Sequence, residues 1–289
     1  MTPWKAIKST SATHAMTCDV EDYFHVSAFR DRIARKDWGK FECRIPRNVE
    51  FILERLSATG TRATFFTLGW VASHYPQIVR QIVTAGHEVA SHGMHHTRVW
   101  RQEPDEFRTD AATAKKLLED VAGVEVIGYR AASWSIDKRT PWAHDMLAEA
   151  GYRYSSSIYP IRHDLFGMPD APTSPFFVDG SGVLEIPASV ARVFGRNIPA
   201  SGGGYFRLYP LRVSTWLIDR IAASGHAPFV FYFHPWELDP DQPRIPGISA
   251  KTRFRHYLNL DRFENRLNAL LERYSWGRMD EIYLAEDGQ

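Results

Sequence analysis

The amino-acid sequence predicts an α/β fold in which helices alternate with parallel strands. The main observation is a repeated pattern, an amphipathic helix that ends at a glycine and is followed by a short apolar strand. A second observation is that polar side chains able to do chemistry follow directly after the strands. Doubly wound sheets and β/α barrels hold their active sites at the carboxyl ends of the strands. The pattern therefore favours one of these two architectures.

Five copies of the pattern follow one another along the chain. The first predicts a helix over residues 47–59, a stop at Gly60 and a strand over residues 63–68. The four later helices are expected to end at Gly86, Gly123, Gly151 and Gly225, before strands within residues 87–91, 124–129, 152–157 and 228–233. An earlier strand is expected to end near Asp19, and a last amphipathic helix around Leu267 is expected to pack on the outside of the core.

The composition is that of an ordinary globular protein. Of 289 residues, 44% are hydrophobic and 24% are charged, which rules out wholesale disorder. The formal net charge of +1 excludes the broad basic surface of a nucleic-acid binder. The longest strongly apolar run, residues 229–233, is far shorter than the ~20 residues that cross a bilayer. We expect no nucleic-acid partner and no direct membrane insertion, and the sequence leaves the oligomeric state open.

Two features bear on the compartment and on the domain organisation. Residues 1–16 lack the apolar stretch of about 7–15 residues typical of a secretory signal. The two cysteines favour a reducing compartment, so a cytoplasmic location is expected, at most peripheral to the inner membrane. We expect one catalytic domain over residues 1–289. Its parts are a core over about residues 14–240 with a Pro/Gly-rich insertion at 160–210, and a C-terminal loop and helix extension over 241–289.

His92 and His96 are the first candidates for a metal site. Their spacing of four residues turns both imidazoles to one side of a helical turn or tight loop, where they can share one divalent ion. The alternative is an ordinary polar loop, in a chain with 12 histidines. His95 is out of phase with the pair, and His87, at the start of a strand, is expected to be structural.

Three carboxylates, those of Asp19, Glu21 and Asp22, lie at the end of the first predicted strand. Such a group is costly to assemble unless a cation or a proton transfer uses it. Two imidazoles and one carboxylate leave a position for water on a zinc-like ion, which lowers the pKa of that water to about 7. A second carboxylate could then act as the base. Asp22 alone could instead cap a helix that begins near Tyr23.

Ordered motifs over most of the chain resemble the polysaccharide deacetylases of the NodB homology group, also called carbohydrate esterase family 4. The motifs are TCDVEDYF at 17–24, TRATFFTLGW at 61–70, GHEVASHGMHH at 86–96, GYRAASWSID at 128–137 and FYFHPWELDPDQPR at 231–244. The chain most resembles the branch linked to bacterial exopolysaccharide and protein-sorting loci. The resemblance implies a distorted, seven-stranded, TIM-like (β/α) barrel that hydrolyses N-acetyl groups of amino-sugar polymers.

The resemblance also implies a role for each motif residue. Asp19 corresponds to the base that takes a proton from water, and Arg130 to the residue that orients this base and keeps it ionised. His234 corresponds to the acid that protonates the departing amine. His92 and His96 correspond to ligands of one divalent metal ion, usually Zn²⁺, with Co²⁺, Ni²⁺ or Mn²⁺ as alternatives.

The chain departs from the family form at two places. The first motif reads D-V-E-D where two adjacent aspartates are common. By position, Glu21 is then the third metal ligand, with Asp22 as its rival. Many relatives also have an aspartate that tunes the acid histidine near the position of Ser155, and Asp164 or Glu185 are candidates to replace it.

Trp134, Trp236 and Tyr205 are candidates for substrate binding, because aromatic rings cover the apolar faces of sugars. The implied partner is an N-acetylated oligo- or polysaccharide, and the near-neutral charge suits an uncharged sugar. Three alternatives stay open. They are an allantoinase-like amide hydrolase of the same fold, a non-catalytic carbohydrate-binding relative, and a barrel glycosidase that uses Asp19 and Glu237 as paired carboxylates.

Overall fold

The computed structural model describes residues 4–6, 13–225 and 228–284. Its strands are β1 (Trp4–Ala6), β2 (His14–Val20), β3 (Thr64–Thr67), β4 (Glu88–Ser91), β5 (Gly128–Tyr129), β6 (Tyr154–Ser155), β7 (Phe176–Val178), β8 (Leu184–Glu185), β9 (Val190–Val193), β10 (Arg196–Pro199), β11 (Val230–Phe233) and β12 (Trp276–Gly277). Its α-helices are α1 (Ile45–Ala58), α2 (Gly69–His74), α3 (Pro76–Thr84), α4 (Pro104–Ala122), α5 (Ala143–Glu149), α6 (Gly203–Leu208), α7 (Leu211–Ala223), α8 (Ala250–Tyr257), α9 (Phe263–Arg273) and α10 (Met279–Tyr283). Short 3₁₀ helices occupy Tyr23–His25, Ser27–Phe29, Arg35–Lys40, Val99–Arg101, Ala132–Trp134, Pro235–Leu238 and Leu260–Arg262.

Most strands belong to one mixed sheet. Along the order β11-β2-β3-β4-β5-β6-β8, each described strand pairs with its neighbours in parallel, and β12 also pairs in parallel with β2. β7 and β1 continue the sheet in antiparallel pairing beyond β8. β9 and β10 form a separate hairpin. The main sheet curls into a partial barrel with helices, which confirms the predicted distorted (β/α) barrel.

The helices have the buried apolar faces that the sequence predicts. In α1 the buried side chains include Val49, Ile52 and Leu56, whose spacing of three and four residues places them on one side of the helix. α4 ends at Gly123, whose φ of 70° gives the left-handed cap that glycine adopts without strain. The strand predicted over residues 124–129 is shorter than expected, because only β5 pairs there. Within the described ranges, no helix is both long and apolar enough to cross a membrane.

Two segments that the sequence suggested as additions contribute to the core. Residues 160–210 contain β7 to β10 and α6, and β8 lies in the main sheet beside β6. The apolar face of α9 packs against the core, where Phe263 and Leu267 are buried in the main hydrophobic cluster. The division of the chain into barrel, insertion and extension remains a prediction.

Close packing accounts for the glycine run at the start of α6. Gly202 has a φ of 93°, in the left-handed region, and a Cβ there would overlap the ring of Tyr232. A Cβ on Gly203 would overlap the buried carboxylate of Glu237. At Gly204, by contrast, a Cβ would meet no atom within 4 Å. The first two glycines are therefore fixed by their neighbours.

Gly203→Ala is expected to destabilise the fold by about 1–3 kcal/mol, the usual cost of overfilling a packed site. Gly204→Ala is the matched control. It should leave the free energy of unfolding unchanged or raise it by up to ~1 kcal/mol, since alanine favours a helix. Urea denaturation followed by circular dichroism measures both values. Equal stability of the two variants would contradict the packing described.

Candidate metal centre and active site

One cavity at the carboxyl ends of the strands brings most of the predicted site residues together. Because β11, β2, β3 and β4 are parallel neighbours, the residues that follow them meet at one edge of the sheet. The cavity is lined by Asp19, Glu21, His92, His96, Trp134, His234 and Trp236, among others. Arg130 follows β5 and reaches this group through a hydrogen bond to Asp19.

Glu21, His92 and His96 form a cluster that could hold a metal ion. One ligand atom from each lies within 4.8 Å of the others. Nδ1 of His92 donates to the backbone oxygen of Arg130 at 2.8 Å, which leaves Nε2 as the ligand atom. A loop rather than a helix carries the two histidines, and its turn depends on positive φ angles at Gly93 (74°) and His96 (51°).

The chemistry of these three side chains fits a divalent ion. Oε2 of Glu21 lies 2.8 Å from Nε2 of His96 without forming a hydrogen bond, and Nδ1 of His96 is also unpartnered. Burial acts to raise the pKa of Glu21, but the neighbouring imidazoles of His96, His234 and His92 hold it well below its usual range. Burial lowers the pKa of His92 to about 4, so this imidazole is neutral and able to bind a metal. Two imidazoles and a carboxylate match the ligand preference of zinc.

Asp22, the alternative third ligand, is engaged elsewhere. Its Oδ1 accepts the backbone N–H of Tyr23 at 2.8 Å, and its Oδ2 accepts those of Arg44 at 2.6 Å and Ile45 at 3.2 Å. It caps the 3₁₀ helix that begins at Tyr23. Burial raises its pKa to about 6. The geometry thus favours Glu21 over Asp22 as the third candidate metal ligand.

Asp19 is held by the fully buried guanidinium of Arg130. Nη1 of Arg130 donates to Oδ1 of Asp19 at 2.6 Å and to the hydroxyl of Thr17 at 2.8 Å. Its Nε and Nη2 donate to the backbone oxygen and the hydroxyl of Ser156. The ion pair fixes the orientation of Asp19, whose other oxygen lies 4.0 Å from Nε2 of His234.

His234 is held by a carboxylate to which the sequence analysis gave no such role. Oε2 of Glu237 lies 3.0 Å from Nδ1 of His234, and Nε of Arg207 donates to its Oε1 at 2.8 Å. Burial acts to lower the pKa of His234, but the hydrogen bond with Glu237 and the charges of Glu21 and Asp19 raise it to about 9. The imidazole is therefore protonated at neutral pH. The three-residue spacing of His234 and Glu237, which is that of a helix capping box, is the signal that could have indicated the pair.

The carboxylates suggested as replacements for the tuning aspartate lie elsewhere. Glu185 is buried against His144, with Nε2 of that imidazole 2.9 Å from its Oε2. Asp164 lies at the surface and pairs with Lys251. Neither contacts His234, so the suggestion that one of them tunes this residue is wrong.

The three aromatic candidates for sugar binding differ in their placement. Trp134 lines the cavity. Trp236 also lines it, but its ring stacks on the imidazoles of His234 and His256, with centroid distances of 5.0 and 4.2 Å. Its ring is thus engaged within the protein and is not free to stack on a sugar as predicted. Tyr205 lies outside the described lining of the cavity.

Two protein-family models match the chain. The model described as Polysaccharide deacetylase matches residues 37–155. The model described as a domain of unknown function, DUF3473, matches residues 156–284. The first range holds His92, His96 and Arg130.

Curated relatives match the chain over shorter segments. It is 31% identical over 97 residues to a chitooligosaccharide deacetylase of Bradyrhizobium sp. (strain ANU 289), covering 34% of this chain and 42% of the relative. It is 33% identical over 72 residues to a peptidoglycan-N-acetylglucosamine deacetylase of Bacillus cereus (strain ATCC 14579), covering 25% of this chain and 26% of the relative. The chain thus spans less than half the length of these two relatives.

Solved structures share the fold over nearly the whole chain. A Mycobacterium smegmatis protein assigned as a polysaccharide deacetylase superimposes with a TM-score of 0.59 at 21% identity, covering 98% of this chain and 93% of that one. The Bc1960 peptidoglycan N-acetylglucosamine deacetylase superimposes with a TM-score of 0.51 at 15% identity, covering 98% and 94%. The solved structures thus share the fold of this chain, while residues 37–155 match the polysaccharide deacetylase model and residues 156–284 match the DUF3473 model.

Proposed function

We propose that the protein is a metal-dependent hydrolase that removes N-acetyl groups from an amino-sugar polysaccharide, of the exopolysaccharide class, or from its precursor. One observation carries the proposal. A cluster able to hold a metal shares a cavity with a carboxylate paired to a buried guanidinium and with a protonated imidazole. Amide hydrolysis needs these groups to activate water, accept its proton and protonate the leaving nitrogen. The names of the curated relatives support an acetamide as the group attacked.

Glu21, His92 and His96 would hold the ion, and zinc fits two imidazoles and one carboxylate best. A bound zinc ion supplies Lewis acidity, which lowers the pKa of water and polarises a carbonyl oxygen. Asp19 adjoins this cluster and is placed to accept the proton of the attacking water. Since Arg130 fixes one oxygen of Asp19 at 2.6 Å, the second oxygen is the one available for that proton.

His234 is placed to donate a proton to the departing amine. Because its Nδ1 is occupied by Glu237, its Nε2 is the atom that faces the carboxylates of the cavity, 3.6 Å from Glu21 and 4.0 Å from Asp19. In the metal-free chain a pKa of about 9 keeps the imidazole protonated at neutral pH, and a general acid must carry such a proton.

The glycosidase alternative has less support from the geometry. Glu237 is fully buried and bound by both Arg207 and His234. It therefore has no free oxygen to act as acid or base on a glycosidic bond. An allantoinase-like hydrolase or a non-catalytic carbohydrate binder would use the same cavity, and the substrate tests below separate them.

Zinc binding is predicted at about one ion per chain. Glu21→Gln and His96→Ala are each expected to weaken binding at least about tenfold, because each removes a ligand. Asp22→Asn and His74→Ala are the controls, since Asp22 caps a helix and His74 is exposed, and both should bind zinc as the wild type does. Isothermal titration calorimetry measures the affinities. If Asp22→Asn lost zinc while Glu21→Gln kept it, the ligand assignment would be wrong.

Acetate release from chitotetraose is predicted for the zinc-loaded protein. Asp19→Asn should keep zinc and lose about 10²–10⁴-fold in kcat, which is what a general base contributes. Asp179→Asn, an exposed carboxylate, should retain full activity. A coupled enzymatic assay for acetate gives kcat. Wild-type turnover by Asp19→Asn would refute its role as base.

The same assays discriminate between the function classes. Turnover of allantoin without release of acetate from chitotetraose would support the small-molecule hydrolase. Binding of zinc and chitotetraose without turnover of either substrate would support the non-catalytic relative.

The proton on His234 is predicted to depend on Glu237. In Glu237→Gln the neutral amide no longer favours the imidazolium, so the pKa of His234 should fall from about 9 toward 6.5. In the wild type, the stabilisation from protonated His234 is fully present below pH 6.5 and is lost as the pH rises through about 9. The free energy of unfolding of the variant should therefore change less across this range.

NMR titration of the imidazole signals in the metal-free protein measures this pKa. Asp164→Asn, which removes a surface carboxylate, is the control and should leave the pKa of His234 unchanged. An unshifted pKa in folded Glu237→Gln would contradict the assigned role.

A further inference from the structure

A second cavity adjoins the catalytic one, and we call it the arginine cavity. Three arginines and two histidines contribute to its lining: Arg30, Arg35, Arg98, His25 and His95. Ser27, His96 and Arg98 line both cavities, so the two are adjoining parts of one depression. A saccharide whose acetamide lies beside Glu21 and the histidine ligands can therefore extend into the arginine cavity.

The positive charge of the arginine cavity has no carboxylate partner at ion-pair distance within the described part of the chain, although Asp31 acts on Arg30 and Asp110 on Arg35 from farther away. Among the described residues, Arg30, Arg35 and Arg98 form no ion pair with a carboxylate. Burial and repulsion by Arg101 lower the pKa of both Arg30 and Arg98. The chain as a whole has 35 basic and 34 acidic residues, so this concentration of cations is a local feature beside the site.

Buried nitrogen atoms without hydrogen-bond partners are a second, independent feature of the cavity. Nε2 of His25, Nδ1 of His95 and Nε of Arg98 are buried nitrogen atoms with no hydrogen-bond partner. Because Nδ1 of His25 accepts the backbone N–H of Asp22 at 2.8 Å, Nε2 of this neutral, 3% exposed residue carries a proton. An unsatisfied buried donor is destabilising, and a ligand that brings an acceptor removes that cost.

We propose that the arginine cavity binds an anionic group, a carboxylate or a phosphate, of the saccharide whose acetamide enters the catalytic cavity. Guanidinium groups bind both anions through paired N–H donors, and the unpartnered imidazole nitrogens add further contacts. The proposal rests on the proposed function and narrows its substrate class to acidic amino-sugar saccharides. It replaces the uncharged sugar that the net charge suggested, because net charge does not report where the cations lie.

Equilibrium binding to the metal-free full chain tests the anion site apart from catalysis. Calorimetric titration compares hyaluronan tetrasaccharide, in which N-acetylglucosamine alternates with glucuronate, with uncharged chitotetraose. A second pair compares N-acetylglucosamine 1-phosphate with N-acetylglucosamine. We expect at least about tenfold tighter binding of the anionic member in one pair or both, decreasing as salt is added. The pair in which the anionic member binds more tightly shows whether the cavity binds a carboxylate or a phosphate.

Two charge-matched double variants provide the specificity control. Arg30→Gln with Arg35→Gln should abolish the tighter binding of the anionic saccharide. Because both side chains are exposed, we expect this variant to fold. Arg32→Gln with Lys36→Gln removes the same charge from the same segment, but neither residue lines the cavity. This second variant should keep the tighter binding. Equal loss in both variants would indicate long-range attraction and overturn the anion site.

The failure of this proposal can be told apart from the failure of the proposed function. Equal affinity for the charged and uncharged members of both pairs would overturn the anion site. Acetate release from chitotetraose in that case would leave the hydrolase proposal standing. Conversely, an anion preference without acetate release from any of the saccharides would support the site and contradict the hydrolase.

Discussion

The buried ion pair between Arg130 and Asp19 is the interaction on which the rest of the site depends. A guanidinium with no solvent exposure must find charged and polar partners inside the protein, and Asp19, Thr17 and Ser156 supply them. The backbone oxygen of the same residue accepts Nδ1–H of His92 and so selects the tautomer of that imidazole. One residue directly after β5 thus contacts both the carboxylate of Asp19 on β2 and a candidate metal ligand after β4.

A second buried ion pair organises the opposite side of the cavity. Arg207 donates to Glu237, and Glu237 contacts Nδ1 of His234 and raises the pKa of that imidazole. All three residues lie in residues 156–284, the range matched by the domain of unknown function, whereas His92 and His96 lie in residues 37–155 and Asp19 and Glu21 precede both ranges. The cavity is therefore lined by both matched regions and by the residues that precede them.

The sequence predicted the local features better than the long-range ones. Helix faces, glycine caps and the residues after strands follow from short-range periodicity, and so the loop carrying His92 and His96 could be located. The insertion of β8 into the main sheet depends on pairing with a strand about 30 residues away, which no local pattern reports. Nor does a local pattern report that the ring of Trp236 is covered, because the imidazole that stacks on it, His256, lies on α8. The sequence places Glu237 three residues after His234, but the ion pair that fixes Glu237 comes from Arg207, 30 residues earlier in the chain.

A crystal structure of the zinc-loaded protein, with anomalous diffraction recorded at the zinc edge, tests most directly whether Glu21, His92 and His96 hold a metal ion beside Asp19. We expect one strong peak bound by the carboxylate of Glu21 and the imidazoles of His92 and His96, beside the carboxylate of Asp19. A peak on Asp22, or zinc bound only by histidines outside the cavity, would contradict this assignment.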